Sequence, residues 1–534
     1  MVGFSRYAIK IREQHDSYRS IMQRPFLLAL LVSCCWCSVA ATLPPQQPSS
    51  SISKSSNGSF GPIFARRGSP SRTGVTVSEG TLSIRGGAIK PRFGNNHKST
   101  KVVVSAGPRT KLQQQKRNNQ KIPEGTSTMS AQVFNLIKSI VGAGVLGLPA
   151  GIAAFGDAPS AIIPALALLP IMAFLAANGF STIGVVCAET QTMTYRDAWS
   201  ATVGPGTSWM PAAACLMVTT CSVLCYSMVL ADTMPSILKA TTGIALARTP
   251  TLLTLTATVI LPLCLLRNLS SLAPFSLVGI LGMLYTAVVM AVRWQQGAYS
   301  LPNGLFANEI VKSYQPAFGT TGMWQAVASP KVTIWISMLS TAFMAHYLAP
   351  SFYWDLKQNT MQRFNTMIGL SFTGAVALMA LTAVAGFATF GISSASLILN
   401  NYAVNDALLS FSRLAVALSL IFSYPLAFKG VKDGVMDLAK VPVERRAKIS
   451  DGLTVALLIG ITSLALVLTD IRLILSLGGA TWGNCVIYIF PSLMLFKAAN
   501  TRPWLQAKRA QAVLTGLLGL VLGVLGTKQA LVAA

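Results

Sequence analysis

The chain has 534 residues, 52% of them hydrophobic and only 11% charged, with a net charge of +26. A soluble domain carries roughly a quarter charged residues, so this shortage excludes a water-facing enzyme as the bulk of the chain and points to helices that face lipid or one another. Nucleic acid is excluded as a partner too: residues 1–130 hold 19 Lys/Arg against 4 Asp/Glu, so 15 of the 26 positive charges lie in a tail with no aromatic interleaving and no nucleic-acid module.

Residues 1–24 are polar and basic, and PFLLALLVSCCWCSVAA (25–41) is a short apolar run ending in small residues. That is a signal-peptide pattern with a cleavage position near Ala40–Ala41, or, given the long stretch ahead of it, a signal anchor. Residues 42–123 carry 14 basic residues and a single acid, Glu79, among many Ser, Gly and Pro. They cannot bury a core, so 42–130 reads as a disordered tail. An acid-poor, Ser- and Arg-rich segment is also the composition of a transit peptide. A two-part leader into an internal organelle, such as the plastid envelope of an alga, is one destination; vacuolar, endosomal and plasma membranes are the others.

From residue 131 onward apolar runs of helical length repeat to the end and form one transmembrane domain, 131–534. The runs fall at 131–154, 159–183, 208–232, 249–266, 271–293, 331–349, 364–390, 406–428, 450–469, 473–496 and 511–530. Each is close to the ~20 residues that cross a hydrocarbon core, so the fold class is all-α and multi-pass with about eleven spans. Six of the nine cysteines scatter through these runs without zinc or disulfide-framework spacing, so they read as buried thiols. No metal or other cofactor and no catalytic residue set is indicated.

With the start of the first span on the cytoplasmic side, connections on that side carry 14 basic residues, six of them between Lys429 and Lys448, against seven on the other. The bias places the start of this transmembrane domain inside, on the cytoplasmic or stromal side. A secretory signal at 25–41 would put the basic tail on the lumenal side instead, a conflict that a two-part leader removes.

The first span contains GAGVLG (142–147) followed by Pro149. The letters match the dinucleotide fingerprint, but no acid lies ~20 residues on and no strand precedes it. In a membrane helix Gly costs about 1 and Pro about 3 kcal/mol, and the residue before Pro leaves helical geometry. The pattern predicts a helix interrupted near the bilayer midplane, whose freed N–H groups suit a carboxylate and whose freed carbonyls suit a cation. A small-residue packing seam is the competing reading of the same glycines. Five spans later, WISMLSTAFMAHYLAPSFYWDL (335–356) is broken by Pro350 and carries His346. Two interruptions at five-span spacing suggest two five-helix repeats of inverted topology plus one extra helix, with the binding site where they meet.

Several segments, in order, resemble the amino acid/auxin permease family within the superfamily that shares the LeuT fold. FNLIKSIVGAGVLGLPAG (134–151) resembles its first helix, CYSMVLADTMPSIL (225–238) its third, and NLSSLAPFSLVGILG (268–282) the start of its fifth. FMAHYLAPSFYWDLK (343–357) looks like its sixth helix, ILNNYAVNDALLSFSRLAVALSLIFSYPLAF (398–428) its seventh-to-eighth region, and GGATWGNCVIYIFPSLMLFK (478–497) its tenth. The resemblance implies an amino acid transporter, closest in motif to neutral amino acid and proton-assisted members, working by alternating access. It implies substrate between helices one, three, six and eight, with the backbone of Gly142, Ala143, Gly144 and Val145 on the carboxylate and selectivity near Tyr226, His346 and Tyr347. Ion coupling falls at Lys138 and Ser423.

Sodium-coupled members are similar to FNLxN where this sequence has FNLIK. An ammonium at Lys138 would repel sodium and stand in its place, so proton coupling or uniport is expected over sodium symport. Lys138 stands seven residues into the span, so snorkelling to the interface is the other reading. His346 suits proton handling or packing alike. Asp232 and Asp406, at span ends, suit capping duties, and the role of Arg413 is open. An amino-acid sensor on the same fold is the alternative function; a channel lacks a filter repeat here, and ATP-driven transport lacks a Walker loop.

Overall fold

The computed structural model describes residues 125–266 and 275–532. The expected leader, and the expected tail as far as residue 124, lie outside them. Among the described residues no strand forms; two isolated bridges are the whole of the β structure. Every expected apolar run carries helix. Among the described residues nine helices are long and apolar enough to cross a membrane, ten if the bent pair Met129–Ile140 and Ala143–Phe155 is one span. The run at 271–293 corresponds to helix Phe275–Gln295, shorter than the others in its described apolar part, Gly279–Gln295.

Several helices outrun their apolar windows, notably Ile162–Thr190 (span two), Trp209–Thr242 (span three), Met361–Phe390 (span seven) and Ala407–Leu438 (span eight). The backbone ladder continues into polar sequence until a residue stops it. Gln191 (φ 53°) and Gly243 (φ 73°) close two of these helices in the left-handed region. Thr360, Asp406 and Asp470 open others by accepting a backbone N–H one turn on.

Both expected interruptions are present. The first span is bent by 45° between its halves. The sixth is helix over Val332–Ala342, leaves helical geometry at Phe343 to Ala345, turns through His346–Leu348 and resumes at Ala349–Asp355. The bridge between Ser127 and Leu356 joins the start of span one to the end of span six, with Ser127 N–H donating to Asp355 O at 2.9 Å. At the other end Asp157 O, just past span one, accepts from Gly319 N–H at 2.9 Å, and Ala317 pairs with Phe390 and Ile392 beyond span seven. Spans one and six therefore run in opposite directions, as the four spans between them require.

Span ten begins as helix Ile471–Gly478 and then widens into two π turns, Gly479–Gly483 and Cys485–Ile489. Gly479 is where it presses on span six: a Cβ there would collide with the Ser337 carbonyl, so only glycine allows the two backbones this close.

Asp406 and Arg413 fasten the end of the molecule where span eight begins. Asp406 is 0% exposed and accepts from Arg293 Nε (2.9 Å) and Nη2 (2.8 Å), from the Tyr299 hydroxyl (3.0 Å) and from Leu408 N–H (3.1 Å). Arg413 is also buried and donates to the carbonyls of Leu399, Tyr402 and Ala403. The expected capping duty of Asp406 is thus joined to a two-pronged ion pair, and Arg413 holds the loop before the cap. Asp232 pairs with Arg248 at 2.6 Å across the turn between spans three and four.

Candidate functional site

The first half of span one ends at Val141, and Gly142 is extended (φ −107°, ψ −164°). A tight turn over Ala143–Gly147 leads into the second half, Leu148–Phe155, with Pro149 in its first turn. The opening N–H groups of a helical turn have no carbonyl one turn earlier to bond. Here they belong to Ala143 and Gly144, and the dipole of the second half-helix adds positive character at that point. Pro149 costs nothing where it stands, because an N–H in the first turn would be unbonded anyway.

A cavity of about 60 Å³ lies against this break. Span one contributes Ser139 and Gly142 to Gly144; span three contributes Cys221, Ser222, Cys225 and Tyr226. Span six adds Thr341 and Met344, at its own break, and span ten adds Ile474, Leu475, Gly478 and Trp482. A Cβ placed on Gly142 would stand 3.5 Å from the Tyr226 hydroxyl, so that hydroxyl faces the extended glycine directly. No charged side chain lines the cavity. A larger cavity, about 290 Å³, opens among Lys429, Lys432, Asp433, Arg446 and Asp451 at the ends of spans four, eight and nine, away from both breaks.

The structure brings Gly142, Ala143, Gly144 and Tyr226 to one cavity. Val145 is fully buried beside it and is not in the lining. His346 and Tyr347 do not line it either. His346 turns toward span two, where Nε2 lies 2.7 Å from the Ala176 carbonyl, so Nε2 carries the ring proton and donates; its ring meets Phe180 edge-on. This makes His346 a tie between spans two and six. Replacement by Gln, which keeps an N–H donor, is expected to leave the pH profile of uptake unchanged. His346→Ala is expected to lower thermal stability by about 1–3 kcal/mol by stranding a buried carbonyl, measured by unfolding in detergent micelles.

Lys138 is half-buried in the last turn of the first half-helix, next to carbonyls that favour a cation. Its Cε lies 3.6 Å from where a Cβ on Gly279 of span five would stand, and Ser419 Oγ of span eight lies 2.5 Å from the same point. Lys138 thus reaches the seam between spans five and eight beside Gly279. Span eight does not reach the cavity. The residues that sequence reading missed are those of span ten. GGATWG (478–483) carried the signal, because small residues beside an aromatic mark a close-packed helix face.

An all-helical membrane domain with two interrupted spans around a small central cavity defines a membrane transporter rather than an enzyme. The family described as "Transmembrane amino acid transporter protein" matches residues 125–532, and the chain belongs to that family. It is a secondary amino acid transporter. Similar relatives include the zebrafish (Danio rerio) putative sodium-coupled neutral amino acid transporter 11, 24% identical over 413 residues, covering 75% of this chain and 86% of that protein. The zebrafish sodium-coupled neutral amino acid symporter 2 is 24% identical, covering 74% and 80%. Human solute carrier family 38 member 8 is 25% identical, covering 71% and 86%. Among solved structures, Mhp1, a nucleobase-cation-symport-1 family transporter, in a closed conformation aligns at 12% identity with a TM-score of 0.48, covering 77% of this chain and 91% of that one.

Proposed function

We propose that the protein carries neutral amino acids across a membrane by alternating access, driven by protons rather than sodium. The observation that carries the substrate class is the lining of the central cavity: two broken helices supply backbone dipoles for the carboxylate and ammonium groups, and no charged side chain awaits a charged substrate. The relatives named for neutral amino acids support the same class. Gly142, Ala143, Gly144 and Tyr226 hold the zwitterion in this reading.

Proton coupling rests on Lys138. A cation fixed between spans one, five and eight supplies the positive charge that a coupling ion would otherwise bring, and its protonation changes with access to either side. Sodium coupling is the second reading, favoured by the names of the relatives. The start of span one lies on the cytoplasmic or stromal side, as the basic residues between Lys429 and Lys448 favour.

Purified protein in liposomes, offered a panel of amino acids under imposed proton or sodium gradients, tests this. An inward proton gradient should drive accumulation, and Lys138→Asn should abolish that drive, lowering initial uptake at least tenfold while leaving amino acid binding measurable. Sodium-dependent, pH-indifferent uptake overturns the role given to Lys138. Binding without any uptake favours the sensor.

A further inference from the structure

Leu475 occupies the space that the glycines of span one leave open. Its Cδ2 lies 3.2 Å from where a Cβ on Gly144 would stand, and its Cδ1 3.0 Å from that point on Gly147. Two of the three glycines in GAGVLG thus serve a second purpose: they admit a branched side chain from another helix against the break. Leu475 is only 3% exposed, and what remains open faces the cavity.

Its position is held from both sides. The Thr341 hydroxyl, at the break of span six, donates to the Leu475 carbonyl at 2.5 Å. One turn on, Gly479 lets span ten seat directly on the Ser337 carbonyl. Ile474, Gly478 and Trp482 recur every four residues and put one face of span ten along the cavity beside Leu475. On spans one and three the lining includes the hydroxyls of Ser139, Ser222 and Tyr226. Polar groups of a substrate belong with those hydroxyls and the broken backbone, which leaves the apolar side chains of span ten for its side chain.

We propose that Leu475 sets the upper size of the transported side chain and restricts the protein to small neutral amino acids of the glycine, alanine and serine class. This rests on the transporter reading above and adds to it a residue on a helix outside the expected set of one, three, six and eight. The volume agrees. A cavity of about 60 Å³ is only a few times the roughly 10–15 Å³ that a single water needs, so the room left beside Leu475 suits a short side chain. Leucine or phenylalanine could enter only if Leu475 moved, and Thr341 and Gly479 fix the backbone that carries it.

The test is a selectivity ratio. Initial uptake of glycine, alanine, leucine and phenylalanine into liposomes is measured for wild type, Leu475→Ala and Leu475→Phe, and kcat/KM is compared between substrates within each protein. One methylene in an apolar pocket is worth roughly tenfold or more, so Leu475→Ala should raise the leucine-to-alanine ratio at least tenfold. Leu475→Phe should lower the alanine-to-glycine ratio. Damage to folding reduces every substrate together and leaves the ratios where they were. Thr341→Val, which frees the Leu475 carbonyl, should relax the same ratio in part. If wild type moves small amino acids and the ratios do not shift in either Leu475 variant, this assignment fails alone. If wild type moves no amino acid, the transporter reading fails with it.

Discussion

Asp406→Asn is expected to cost about 3–5 kcal/mol of stability, the loss typical when one partner of a buried ion pair is removed. The carboxylate satisfies the Arg293 fork on both oxygens, the Tyr299 hydroxyl and a backbone N–H at the start of span eight. An amide offers one acceptor oxygen in place of two and turns an N–H₂ group toward the guanidinium. Arg293 would then remain largely buried, at 13% side-chain exposure, with its charge uncompensated. Arg293→Met with Asp406→Leu removes both charges, and this pair is expected to be less destabilised than Asp406→Asn alone, because no ion is left stranded. Unfolding of the purified variants in detergent micelles measures both. An Asp406→Asn protein as stable as wild type would show that the pair contributes nothing. So would a double variant whose loss is simply the sum of those of Arg293→Met and Asp406→Leu measured singly, since groups that interact do not add.

The parts of this architecture that were legible in sequence are those written in backbone chemistry. Gly142, Gly144 and Gly147 crowd one turn just ahead of Pro149, and Pro350 likewise suits only the opening turn of a new helix, so both interruptions could be placed from local sequence, whereas the lone Pro170, Pro235 and Pro425 sit inside unbroken helices. Asp406 at a span end reads as a cap for the same local reason. What sequence could not give is azimuth. Span six is apolar on every side, so nothing in WISMLSTAFMAHYLAP says which residue at the break faces the cavity. The titratable His346 drew the eye, yet Thr341 and Met344 hold that place while His346 bonds the Ala176 carbonyl. Span eight failed to reach the cavity for a related reason. Lys138 reaches the seam of spans five and eight, a placement that depends on how three helices pack. The part of span ten is not legible in its sequence, because it depends on a close approach to span six that only the collision at Gly479 reveals.

Gly144→Val is expected to depress uptake more than any other single change at the site. Its Cβ would begin 3.2 Å from Leu475 Cδ2, tighter than ordinary contact, and one γ-methyl must then point into a cavity of only about 60 Å³. Overpacking of this kind costs about 1–3 kcal/mol, roughly 5- to 150-fold in substrate affinity. Gly144→Ala should be milder, since the tip of Leu475 can yield by the few tenths of an ångström required. The interpretation turns on rescue. If the space vacated by Gly144 is the space that Leu475 fills, Gly144→Val combined with Leu475→Ala should recover at least tenfold of the lost alanine uptake, a non-additivity expected only of residues in contact. If the glycine matters solely for its backbone freedom, removing the leucine tip restores nothing, and the double variant should be no better than Gly144→Val. Uptake of labelled alanine at matched protein density in liposomes separates the two outcomes. It also decides whether GAGVLG is a binding turn alone or a binding turn shaped around Leu475.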